Sequence, residues 1–115
     1  MHELASGTGQ ATTVRVTSYQ LAHPENMPAA LADVYGIEVE IRLRARPAVT
    51  AFLTRAEPDK IVHLPLLISD FIDGADPRQP TFSWRRRNLA TAGAGEFSEW
   101  ADTTGDELFV TPVTG

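Results

Sequence analysis

The sequence predicts an all-β protein, a small antiparallel β-sandwich or partly open barrel of about six or seven strands with one short helix. Ile37–Arg44 alternates apolar and charged side chains without a break, as a strand with one buried and one solvated face does. The apolar positions of this strand are Ile37, Val39, Ile41 and Leu43. Strands of a buried parallel sheet are continuously apolar, so the alternation indicates an antiparallel sheet covered on one side.

The remaining β-rich segments are short and are separated by Gly, Pro and Asp turns, which is the second observation behind the fold class. They lie at Thr12–Leu21, Ala48–Arg55, Ile61–Ile68, Thr81–Leu89, Glu96–Trp100 and Glu107–Val113. Ala48–Arg55 follows the alternating strand after a corner at Pro47, so the two are expected to pair as a hairpin. In Ile61–Ile68, Pro65 removes a ladder donor and confines the segment to an edge or a bulge.

One short helix is predicted over Pro28–Tyr35, with Asn26 as its N-cap and Gly36 beyond its end. A length of 115 residues, with 43% hydrophobic and 22% charged residues, fits one globular domain, which we place at 12–115. Met1–Ala11 is small and polar and is expected to be a flexible arm. The side chains predicted to be buried are Val39, Ile41, Leu43, Val49, Leu53, Leu66 and Leu108.

Composition excludes several classes of function. The net charge is −5, and Asn88–Gly115 contains five acidic residues and no Lys or Arg, so the chain is a poor candidate for binding nucleic acid. The absence of cysteine rules out a disulfide framework, a thiolate nucleophile and Cys-ligated metal. No apolar run is long enough to span a membrane, and Met1–Thr13 lacks a signal-peptide pattern, so a cytoplasmic location is expected.

Asp70, Asp73 and Asp76 surround Gly74 and are weak candidates for a calcium site, to which Asp102 and Asp106 could contribute. Asp-Gly is also the commonest turn dipeptide, and neither the spacing nor a closing Glu matches an EF-hand. An ordinary turn is therefore favoured. We expect no bound metal and no cofactor.

Arg85, Arg86 and Arg87 follow Trp84, and two arginines on one strand face could grip a phosphate or carboxylate. Cross-strand ion pairing with the acidic C-terminal segment is the favoured alternative. Trp84, Arg86 and Trp100 are the candidate ligand-binding residues, since the tryptophans could form a stacking platform for sugars or flat ligands with other aromatic side chains and Arg86 could hold an anion. Two tryptophans in a domain of this size are more often part of the core.

His63 lies in the most apolar segment of the chain and is the weak candidate for a general base, with Asp70 and Asp73 as alternatives. A core or edge-strand histidine is the favoured interpretation. His2 and His23 lie outside predicted elements, so no histidine cluster or catalytic triad can be assembled from the sequence.

Two functions remain. The favoured one is a non-catalytic interaction or ligand-binding module that associates with itself, preferably as a dimer, because Ile61–Ile68 must be covered either by the helix at Pro28–Tyr35 or by a second copy. The alternative is a small cofactor-independent accessory enzyme, an isomerase, cyclase or hydrolase of a small metabolite. His63 or an acid of Asp70–Asp76 would be its base and Arg86 its anion clamp. An enzyme needs an interior pocket of roughly 300 Å³ or more with convergent polar groups, whereas a module needs an exposed apolar patch.

Overall fold

The computed structural model describes residues 11–43, 47–65 and 81–113, which form two β-sheets. The smaller sheet has three strands in the order β4-β1-β8. These strands are β1 (Ala11–Thr17), β4 (Asp59–Pro65) and β8 (Glu107–Phe109). Strand β1 is central, antiparallel to β4 and parallel to β8. The predicted closing strand Glu107–Val113 is therefore shorter than expected, and it pairs in parallel with the first strand.

The larger sheet is antiparallel, has five strands in the order β3-β2-β5-β6, and curls into a half-barrel. Its strands are β2 (Val34–Arg42), β3 (Val49–Thr54), β5 (Thr81–Ala90), β6 (Gly93–Ala94) and β7 (Ala101–Thr104). Strand β7 pairs with β5 on the same side as β6. The predicted hairpin of β2 and β3 is confirmed, and so is the all-β fold class.

The helical parts are short. Helix α1 (Tyr19–Ala22) begins where the predicted first strand was expected to continue, because the Ser18 hydroxyl accepts a hydrogen bond from the backbone N–H of Leu21 at 3.4 Å and caps it. The predicted helix over Pro28–Tyr35 is wrong. Only a 3₁₀ turn at Ala29–Leu31 forms there, and the β-favouring Val34 and Tyr35 open β2. Among the described residues no helix has the length and apolarity needed to cross a membrane.

The core lies between the two sheets and is built from side chains at alternating positions along the strands, which point inward. Within β2, Ile37, Val39 and Ile41 are fully buried, which confirms the face assigned to this strand. The other buried apolar side chains include Val14, Val16, Leu21, Leu43, Leu53, Val62, Leu64, Phe82, Leu108 and Val110. Val49 packs against this core while partly exposed, and the predicted core residue Leu66 lies outside the described residues.

The predicted strand Glu96–Trp100 does not form. This segment instead follows the edge of β5 between β6 and β7, where the Gly95 N–H donates to the Asn88 carbonyl at 2.9 Å and the Ser98 N–H donates to the Arg86 carbonyl at 2.7 Å. It thereby brings Phe97 and Trp100 alongside the central strands of the larger sheet.

The segment after β8 is held against β5 by the side chains of Arg86, which donates to the Thr111 carbonyl, and Asn88. The Asn88 amide donates to the Val113 carbonyl at 2.9 Å, and its oxygen accepts from the Val113 N–H at 2.8 Å. Pro112, which lies between Val113 and Val110 in the sequence, is buried, and Val110 is buried as well. The C-terminal part of the described chain therefore closes one end of the core.

Candidate functional site

The outer strands β3 and β4 leave one side of the molecule open. They belong to different sheets and are joined by a turn in which the N–H groups of Thr54 and Glu57 each donate to the other residue's carbonyl, at 3.0 and 3.1 Å. Beyond this turn no described backbone hydrogen bond joins the two strands. A groove of about 360 Å³ lies between Val49–Phe52 and Lys60–His63, and we call it the open side.

The hydrogen-bonding pattern shows which backbone groups of β4 face the open side. The Ser18 N–H donates to the Pro58 carbonyl at 2.9 Å, so Pro58 turns its carbonyl toward β1. Bonded and non-bonded pairs alternate along an antiparallel ladder, so the N–H and C=O groups of Asp59, Ile61 and His63 point away from β1.

The same reasoning applies to β3. Thr54 directs its N–H and C=O toward Glu57 and therefore away from β2. By alternation, Thr50 and Phe52 also direct their backbone groups away from β2 and into the open side. Two strand edges without described partners thus face the same groove.

Two large apolar side chains beside the open side are exposed. Ile61 is 62% exposed and Phe52 is 48% exposed, large values for side chains of their size. Lys60 lies 3.7 Å from the Glu57 carboxylate. His63 is exposed on the edge strand β4, opposite Thr13, and no described residue hydrogen-bonds to its imidazole. His63 therefore lies on an edge strand.

A second cluster covers the outer face of the larger sheet. Arg87 binds Glu38 through its Nε at 2.9 Å, and Arg85 binds Glu40 through its Nε at 2.6 Å. Both pairs are directly opposite in the register of β2 and β5. The cross-strand ion pairing predicted for these arginines is confirmed, but the partners come from the alternating strand β2 and not from the acidic C-terminal segment.

Two aromatic rings lie over these ion pairs. The guanidinium carbons of Arg85 and Arg87 lie 4.3 and 4.5 Å from the centre of the Phe97 ring. Those of Arg42 and Arg85 lie 3.8 and 4.7 Å from the centre of the Trp100 ring. Stacking of guanidinium on aromatic faces is favourable and keeps water from the charges beneath. We call this set the arginine–aromatic cluster.

Of the three residues predicted to bind a ligand, Trp84 and Arg86 lie together, whereas Trp100 lies on the opposite face of the sheet. Trp84 packs against the core and donates from Nε1 to the Thr103 hydroxyl at 3.1 Å. Arg86 lies on the same inner face, 5.6 Å from the Trp84 ring, and donates to the Thr111 carbonyl. Burial lowers the pKa of the Arg86 guanidinium. Trp100 contacts Arg42 and Arg85 on the opposite face.

The remaining candidates do not assemble into a described site. Asp70, Asp73 and Asp76 lie outside the described residues, and so does His2. Asp102 accepts a hydrogen bond from the Ser83 hydroxyl at 2.6 Å. Within the described ranges no group of three or more His, Asp or Glu side chains could hold a metal ion.

Sequence reasoning missed the open side because the turn between β3 and β4 is compatible with a simple hairpin. The signal in the sequence is that two large apolar residues, Phe52 and Ile61, flank the short turn between the two segments. Comparison with protein-family models, with curated proteins and with solved structures finds no match to this chain.

Proposed function

We propose that this protein is a non-catalytic interaction module whose open side accepts an extended β-strand from a partner. The observation that carries the proposal is the presence of two strand edges, at Thr50 and Phe52 of β3 and at Ile61 and His63 of β4, whose backbone groups face one groove without described partners. An extended peptide added to such an edge gains main-chain hydrogen bonds, and flanking side chains select its residues.

The energetics of exposed edges support this function. An edge strand with free N–H and C=O groups and apolar side chains pairs readily with another chain, and proteins usually block it with charge, proline or a covering element. Here Ile61 and Phe52 leave the middle of the open side apolar and accessible. Their exposure is the kind of patch that an interaction surface uses.

The lining of the groove favours binding over catalysis. Its volume of about 360 Å³ would suffice for a small substrate, but its lining is Val49, Thr50, Ala51, Phe52, Lys60, Ile61, Val62 and His63. An active site requires several polar groups converging on one point. Lys60 lies 3.7 Å from the Glu57 carboxylate, and none of the ion pairs among the described residues involves His63.

A peptide titration tests the proposal. A fluorescein-labelled peptide of alternating Thr and Val serves as a generic strand, and its binding is followed by fluorescence polarisation. We expect saturable binding, and we expect none for the same peptide N-methylated at alternate residues, since N-methylation removes its edge donors.

Hydrogen exchange locates the bound peptide. The amides of Thr50, Phe52, Ile61 and His63 should exchange more slowly in its presence. The amides of Ala51 and Val62 serve as controls, because they already pair within their own sheets. The measurement is made on monomeric protein, because self-association would cover the same edge. Absence of binding to the monomer, or protection confined to other parts of the molecule, would refute the proposal.

A further inference from the structure

The edge of β4 away from β1 has no partner in the part of the chain that the structure describes. Asp59, Ile61 and His63 alternate along it, with an acid before the apolar residue and an imidazole after it. Building on the proposed function, we infer that the partner strand is β4 of a second copy of this chain, paired antiparallel across a two-fold axis at Ile61. Closed two-fold dimers are the commonest assemblies of soluble homo-oligomers.

This register uses the backbone groups of β4 that have no partner among the described residues. With Ile61 opposite Ile61 of the second copy, Asp59 of each copy lies opposite His63 of the other. All three residues direct N–H and C=O away from β1, so they form bonded pairs that supply about six backbone hydrogen bonds. A register shifted by one residue would place Lys60 or Val62, whose backbone groups already bond to β1, opposite the unpaired groups of the second copy.

The side chains agree with the same register. Ile61 is 62% exposed in the single chain and would be covered by its own symmetry mate. The Asp59 carboxylate accepts from the Arg15 Nε at 2.9 Å, and its remaining lone pairs can accept from the opposing imidazole. A shift by two residues would place Ile61 opposite Asp59 or His63, so only one register matches apolar with apolar and acid with imidazole.

The assembly would join the smaller sheets of both copies into one. The strand order becomes β8-β1-β4 followed by β4-β1-β8 of the second copy, and the exposed edge disappears. Strand β3 then flanks the new pair, with Phe52 beside the covered Ile61. The second copy thus covers both the backbone edge and its most exposed apolar side chain.

Cysteine cross-linking tests the register, because the chain contains no cysteine of its own. Under mild oxidation, Ile61→Cys should form a covalent dimer, since opposed residues at a two-fold axis fall within the distance that a disulfide spans. Phe109→Cys is the matched control, because Phe109 is 69% exposed on β8, at the far edge of the same sheet. Cross-linking of His63→Cys as efficient as that of Ile61→Cys would overturn the register and the inference.

Sedimentation tests the assembly itself. The unmodified protein should be dimeric at micromolar concentration, and Ile61→Lys should raise the dimer dissociation constant at least about tenfold, because like charges would face each other at the axis. Phe109→Lys should leave it unchanged. A monomer whose open side still binds the Thr-Val peptide would overturn this inference while the proposed function stands. A monomer that binds no peptide would overturn both.

Discussion

Side chains in β2 alternate between the two faces of the sheet as the sequence predicts. Ile37, Val39 and Ile41 are fully buried, while the intervening Glu38 and Glu40 lie on the other face. That other face is less solvated than the alternation alone suggests, because Arg85 and Arg87 neutralise the glutamates. Glu38 is only 9% exposed. A sequence pattern identifies which residues share a face, but it cannot show what a distant strand places over them.

Truncation of one of these core residues tests the assignment. Ile41→Ala should lower the free energy of unfolding by about 2–5 kcal/mol, because it removes buried methyl groups and leaves a cavity. Chemical denaturation measures this loss. The matched control is Ile61→Ala at the exposed edge, which should change the stability of the monomer by less than about 0.5 kcal/mol. Equal effects at both positions would mean that the buried face is misassigned.

The ion pair of Arg15 and Asp59 links the outer faces of β1 and β4. Hydrogen bonding from Arg15 lowers the pKa of the Asp59 carboxyl below its ordinary value. Because the pKa is lower in the folded state, the stabilisation is complete above the unfolded value of about 3.9 and is lost as the pH falls through the folded value. The pair is exposed to solvent, so its contribution is also weakened by salt.

An NMR titration of the Asp59 carboxyl checks this effect. Arg15→Gln should move the pKa of Asp59 upward toward its ordinary value, and stability should then fall less steeply with acidification below about pH 4. Glu57→Gln is the control, because Glu57 pairs with Lys60 and does not contact Arg15. An unchanged Asp59 titration in Arg15→Gln would contradict the assignment.

Among the elements, the strands were largely predictable and the helices were not. The strand segments contain β-branched and aromatic residues in alternation, and β2, β3 and β5 form close to the expected bounds. The predicted helix at Pro28–Tyr35 failed because capping signals are local, whereas pairing of Val34 with Ala90 of β5 is a long-range contact. Similarly, nothing near Glu107 indicates that β8 would run parallel to β1.

A glycine fixes the start of β2. The register with β5 shifts between Val34 and Gly36, and a Cβ atom at Gly36 would lie 2.8 Å from the backbone oxygen of Leu53. Gly36→Ala should therefore destabilise the protein by about 1–3 kcal/mol, because the clash is with backbone that cannot turn away. Gly95→Ala is the control, since its Cβ would meet nothing closer than 3.7 Å. Equal denaturation midpoints for the two variants would refute the close approach.

At the level of the whole molecule, the sequence indicates a small β protein, but it does not show that β3 and β4 leave the edges of the open side unpaired among the described residues. The turn at 55–58 is short enough for a hairpin, and β3 and β4 would be paired in a simple meander. They separate because β4 pairs with β1 in the smaller sheet and β3 pairs with β2 in the larger sheet. That choice depends on the packing of the whole core around Val16, Leu53 and Val62, which no local pattern encodes.

The central position of β1 also determines when the smaller sheet can form during synthesis. Strand β1 ends at Thr17, but its parallel neighbour β8 ends at Phe109. At about 5 to 20 residues per second, a ribosome takes about 5 to 20 s to make the intervening chain. In the later part of that interval, after Pro65 has been made, β1 still lacks one neighbour while β4 already presents its apolar edge. Nascent chains on one messenger are therefore exposed to premature strand exchange, and slow translation between Pro65 and Phe109 would prolong that exposure.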